Sequence, residues 1–126
     1  MDLFLKLQEM NLLLIDDDEW IRDSLTLFLE SEGCGIVALE TAEEGLCEVK
    51  SKHFDIIIVD YRLPGMNGLD FIKNLPPHQA NARKILITAY GNRNMLSEAR
   101  QIGVDECIAK PFTSDTIVAS LERLVV

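Results

Sequence analysis

The sequence is poor in the residues that would take it away from an ordinary folded domain. Among 126 residues there are four prolines, seven glycines and no low-complexity tract, which excludes disordered and fibrous classes. The three cysteines, Cys34, Cys47 and Cys107, are odd in number and lack CxxC spacing. That argues against a disulfide framework and a zinc site. They read as small apolar packing residues in a reducing, cytoplasmic setting. The two histidines, His53 and His78, are too few and too separated for a metal cluster. Basic residues are scarce as well: 12 Lys and Arg against 21 Asp and Glu leave a net charge of −9. Such a surface opposes direct contact with nucleic acid or an anionic membrane and suits a cation or a cationic partner. No apolar run approaches the roughly 20 residues that span a bilayer. The opening MDLFLKLQEM lacks the small-residue cleavage site of a signal peptide.

What the sequence does have is a regular alternation. Apolar residues make up 48% of the chain, enough for one domain with a real core. Short β-branched runs take turns with stretches of helical period, and five such pairs occur. The expected strands are NLLLI (11–15), GIVALE (35–40), DIIIVD (55–60), KILIT (84–88) and ECIA (106–109). Helices are expected over about 20–32, from a capping box at Thr41 and Glu44, around Leu69 to Leu75 ahead of PPH, over about 92–102 with Gly103 as C-cap, and from about Thr113. Residues 1–10 read as an extension or frayed segment before a domain at 11–126. A docking helix is the alternative, because Leu3, Phe4, Leu7 and Met10 share a face.

Alternation of this kind implies an α/β fold, a five-stranded parallel sheet covered by helices on both faces, and Ile56 to Val59 suits a strand buried on both sides. The flavodoxin-like order 2-1-3-4-5 puts the ligand crevice beyond the carboxyl ends of strands one and three. The residues at the strand ends are then informative. Strand one delivers Asp16, Asp17 and Asp18, strand three Asp60, strand four Thr88, and strand five Lys110 and Pro111. Converging carboxylates resist ionisation unless a cation sits among them, and an oxygen-only set favours Mg²⁺ over zinc. A lysine and a hydroxyl beside them could hold an anion such as a phosphoryl group.

Four motifs, LLLIDDD, IIIVDYRLPGMNG, ILITAYG and IAKPF, occur in that order. Together they resemble a response-regulator receiver domain, the phospho-acceptor module of two-component signalling. The resemblance implies that Asp60 accepts a phosphoryl group from a phosphohistidine. It implies Mg²⁺ held by Asp16, Asp17, Asp60 and the Arg62 backbone carbonyl, with Lys110 and Thr88 on the phosphoryl oxygens and a cis bond before Pro111. The small Ala89 would leave room for the group. Partners implied are a histidine kinase or histidine phosphotransfer protein and a downstream output domain or protein, with a phosphorylation-dependent dimer as a further option. The face made by the fourth helix of the alternation, strand five and the last helix would carry the change.

One position departs from the family pattern. Cys107 stands where many members have a switching aromatic residue, three before the lysine, so the rearrangement is expected to rely on Thr88 and Tyr90. Two other functions compete. LLLIDDDEW also resembles the Asp-x-Asp strand end of haloacid-dehalogenase phosphatases, with Asp16 as nucleophile, and a receiver-like scaffold that is never phosphorylated would bind partners constitutively.

Overall fold

Polar residues mark where extended chain turns into helix, each by accepting from a backbone amide that the first turn leaves without a partner. Asp18 accepts from Trp20 and Ile21, Thr41 from Glu44, Asn67 from Asp70, and Asn92 from Met95. Thr41 and Glu44 form the reciprocal capping box that their spacing predicts. A computed structural model describes residues 2–89 and 91–125 and shows what these caps punctuate. Strands β1 (Leu12–Ile15), β2 (Ile36–Leu39), β3 (Ile56–Asp60), β4 (Arg83–Thr88) and β5 (Glu106–Ala109) alternate with helices α2 (Glu19–Ser31), α3 (Ala42–Ser51), α4 (Gly68–Lys73), α5 (Arg93–Gln101) and α6 (Ser114–Val125). A five-residue helix, α1 (Leu3–Leu7), precedes them. The strands form one parallel sheet in the order β2-β1-β3-β4-β5, the flavodoxin-like order expected.

Side chains alternate across a strand, so each face of the sheet takes every second residue. Leu13, Ile15, Ile57, Val59 and Leu86 pack under α3, α4 and α5 against Val49, Phe71, Met95 and Ala99. Leu12, Leu14, Ile56, Ile58, Ile85 and Ile87 face α2 and α6, where Leu25, Leu29, Ile117 and Leu121 complete the layer. Each such side chain contributes about 1.5–3 kcal/mol when fully buried. Among the described residues no helix is long and apolar enough to cross a membrane.

The structure departs from the sequence expectations at particular points. α4 ends at Lys73 rather than carrying Leu75, because Pro76 and Pro77 start a 3-10 turn (Pro77–Gln79). Residues 3–7 are a packed helix rather than a frayed end. Leu3 and Leu7 are buried with Leu25 and Leu29, and Phe4 meets Phe28 edge-on at 6.0 Å. Lys6 Nζ donates to the Val125 carbonyl at 3.0 Å and Gln8 Nε2 to that of Glu32 at 2.9 Å, so α1 supplies donors to the C-terminal ends of α6 and α2. Of the cysteines, Cys34 alone packs inside; Cys47 and Cys107 are exposed.

Two buried polar side chains close the end of the sheet where the strands begin. Gln79 is wholly buried, accepting from Phe54 N and donating to the carbonyls of Val49 and Lys52. Lys84 donates to the carbonyls of Ala80 and Ala82. Burial holds its ammonium below the ordinary lysine range, against an opposing pull from Asp105.

Candidate functional site

At the opposite end the strands stop in polar residues. Asp16 follows Ile15, Asp60 closes β3, Thr88 closes β4 and Lys110 follows β5, so parallel register alone gathers them. Backbone bonds knit the strand exits together, from Tyr61 N to the Ile87 carbonyl at 2.7 Å and from Lys110 N to that of Thr88 at 2.9 Å. The result is an open cleft of about 430 Å³ lined by Asp17, Asp18, Asp60, Tyr61, Arg62, Thr88, Ala89 and Lys110. The Lys110–Pro111 bond is cis.

Lys110 Nζ lies 2.8 Å from Asp60 Oδ2 and 3.2 Å from Asp16 Oδ2, while Asp60 Oδ1 accepts from Arg62 N at 3.3 Å. Burial by itself would lower the lysine's pKa. The hydrogen bond that Lys110 donates to Asp60 and the charges of Asp16 and Asp60 outweigh it, and the ammonium holds its proton more firmly than usual. Asp16 is fully enclosed and pushed up to about 6, chiefly by burial, with Asp60 adding repulsion and the Asp18 amide and Lys110 opposing. The carboxylates therefore crowd a single ammonium that satisfies them incompletely. Asp16 Oδ2 is buried and makes no hydrogen bond, held only by its 3.2 Å ion pair with the shared Lys110.

That oxygen bears on the implied metal. Asp16, Asp17 and Asp60 each offer a carboxylate oxygen, and the three lie within 4.8 Å of one another. An all-oxygen set with a buried acceptor left over fits a hard divalent cation such as Mg²⁺.

Of the residues picked from the sequence, Asp16, Asp17, Asp60, Arg62, Thr88, Ala89, Lys110 and Pro111 meet at or beside this cleft. Cys107 does not: it lies exposed in a separate hollow with Leu96 and Arg100. Tyr90 lies outside the described residues. Asp18 is primarily the N-cap of α2, as a polar residue ahead of a helical period signals.

Two contributors were not picked out individually, although Gly68 closes the motif IIIVDYRLPGMNG. Gly68 donates to the Tyr61 carbonyl at 2.9 Å, and a Cβ there would stand 2.4 Å from the Asp60 carbonyl oxygen. Only a residue without a side chain lets α4 pass so close under the end of β3. Arg22, in the first turn of α2, sends Nη1 back to the Asp16 carbonyl at 2.8 Å.

A sequence profile of the response regulator receiver domain matches residues 12–122. The chain is 34% identical to the two-component response regulator PhoP of Pseudomonas aeruginosa over 92% of this chain and 52% of that protein. It is 31% identical to sporulation initiation phosphotransferase F of Bacillus subtilis, over 89% and 90%. A crystal structure of a response regulator protein from Burkholderia pseudomallei, with a phosphorylated aspartic acid, calcium ion and citrate, superposes with a TM-score of 0.82. Identity there is 31%, and the match covers 90% of this chain and 66% of that one. The chain thus spans about half the length of PhoP and nearly all of the phosphotransferase.

Proposed function

The chain belongs to the response-regulator receiver family, and from that premise we propose that Asp60 accepts a phosphoryl group from a phosphohistidine and passes the event on as a change of surface. The observation that carries the reading is Asp60 itself, a carboxylate at the end of a wholly buried strand, opening into the cleft and paired at 2.8 Å with Lys110. In the transfer an Asp60 oxygen bonds to phosphorus as the P–N bond breaks, and the bond pair leaves on the imidazole nitrogen, which retains or regains its proton. Bound Mg²⁺ supplies neutralising charge at the phosphoryl oxygens. Asp16, Asp17, Asp60 and the Arg62 carbonyl would hold it.

The remaining work falls to this chain's own groups. Lys110 gives up its bond to Asp60 and turns to a phosphoryl oxygen. Thr88, at the end of β4, donates its hydroxyl to another, and Ala89 next to it leaves space. Lys110 and Thr88 are joined through the backbone where β5 ends and the loop before α5 begins. Movement at either is therefore transmitted to the α5-β5-α6 face. That face would then bind a partner, an output domain or a second copy differently, with a histidine kinase or histidine phosphotransfer protein as donor. The Burkholderia relative, with its phosphorylated aspartic acid and calcium ion, supports the same chemistry here. Asp16 is a poor alternative nucleophile, being wholly enclosed and absent from the cleft lining.

Incubation with acetyl phosphate and Mg²⁺ should give a single phosphoryl adduct by intact mass, absent in Asp60→Ala and in EDTA. Repeated turnover of a phosphomonoester, lost in Asp16→Ala yet kept in Asp60→Ala, would instead mark a phosphatase of the haloacid-dehalogenase type. A chain that takes no phosphoryl group yet binds a partner unchanged would be the scaffold.

A further inference from the structure

The three carboxylates that would hold the cation are not fixed alike. Asp16 is enclosed and Asp60 sits in a buried strand, but Asp17 is exposed, in the turn between β1 and α2, so packing does not determine where it points. Something else must aim it. The Asp16 carbonyl and the Asp17 amide belong to one rigid peptide plane. Whatever fixes that oxygen fixes the plane from which Asp17 departs, leaving only its own φ and χ1 to set the carboxylate.

Arg22 fixes it. Its guanidinium is largely buried, with the side chain 18% exposed, and Nη1 donates to the Asp16 carbonyl at 2.8 Å. The other prong, Nη2, faces Glu40 Oε2 at 3.6 Å across the end of β2. Its own backbone amide donates to the Asp18 carbonyl at 3.1 Å. The acidic turn is thus held at both ends by one residue, one helical turn downstream. A planar, two-pronged donor suits that span, and a lysine, with a single point of charge, could take only one side of it.

We propose that Arg22 is a positioning residue for Asp17: it sets the plane of the Asp16–Asp17 peptide and so presents the exposed carboxylate to the cation. The inference rests on the proposed Mg²⁺-dependent function, and its test separates the two. Mg²⁺ titration by calorimetry, with melting temperature followed in parallel, should give Arg22→Gln a dissociation constant raised roughly tenfold, the size expected when a group orienting a ligand is lost. Arg22→Lys should recover part of it. Glu40→Gln should change it less than about twofold, because the Glu40 side chain is 62% exposed and the pair is long at 3.6 Å. The double variant Arg22→Gln with Asp17→Asn should bind no worse than Asp17→Asn alone, since both act through one carboxylate.

The second measurement needs no metal. In the metal-free protein the Asp17 amide nitrogen resonance should shift in Arg22→Gln and Arg22→Lys and stay put in Glu40→Gln. An unmoved Asp17 resonance overturns the proposal, as do multiplying effects in the double variant or a lower melting temperature with unchanged affinity. A parent protein that binds no Mg²⁺ overturns the functional reading, while the Asp17 resonance still decides the role of Arg22.

Discussion

Gln79 and Asp16 are both wholly enclosed polar side chains at the ends of the same sheet, and they are treated in opposite ways. Gln79, where the strands begin, has its carbonyl and its amide answered by three backbone partners. Asp16, where they finish, keeps one oxygen without a hydrogen bond and shares a lysine with Asp60. A satisfied buried group stabilises and stays inert, whereas an unsatisfied one costs stability and retains an appetite for a ligand. The floor of the domain holds the fold, and the roof keeps chemistry available at the floor's expense.

The largest effect should come from the floor. Leu7→Ala, which empties a wholly buried site between α1 and the α2/α6 layer, should cost about 3 kcal/mol in chemical denaturation. If it costs almost nothing, α1 is an ornament and the comparison loses its floor.

Next comes the pH dependence of the roof. The folded-state pKa of Asp16 is raised from 3.8 to about 6, so the folded protein holds this proton more tightly than the unfolded chain. Stability is full below the unfolded value, declines as pH rises through about 6, and should differ by about 3 kcal/mol across that window in the absence of divalent cation. Asp16→Asn should remove this component, and saturating Mg²⁺ should flatten it. Denaturation of parent and variant from about pH 4 to about pH 7, spanning those two pKa values, would check the sign.

Gln79→Ala should cost about 2 kcal/mol through the backbone groups it leaves unanswered, with the rate of labelling by acetyl phosphate unchanged. A slowed rate would mean that the two ends are coupled. The smallest effect is at the roof: Asp60→Asn removes a like charge, so the Asp16 pKa should fall from about 6 toward its ordinary value. Carbon-detected titration of the Asp16 carboxyl would read it, and an unchanged value would mean that repulsion from Asp60 plays no part.

These two ends were unequally legible in the sequence. The sheet order followed from alternation, and the roof from reading the residue after each strand, since parallel register places those residues side by side whatever the packing is. The floor depends on contacts that have no period. A five-residue helix is too short to show one, and Leu3 and Leu7 acquire their meaning only from α2 and α6. Gln79 looks like any loop amide until the chain closes around it. Arg22 reaches six residues back to a carbonyl, a contact with no pattern to find. Cys47 was misread because it sits between Leu46 and Val49, one position off the stripe that α3 buries.

Gly68 separates two kinds of change in this protein. With its amide on the Tyr61 carbonyl and no room for a methyl beside Asp60, it pins both ends of the segment that leaves the acceptor. In between, Leu63 is buried in the core, but the side chains of Arg62 and Pro64 are exposed. Those two positions can drift from one descendant to another while Asp60 stays where it is. Under the proposed function, the lifetime of a signal would then be free to evolve by substitution in a short span, without the fold being renegotiated each time.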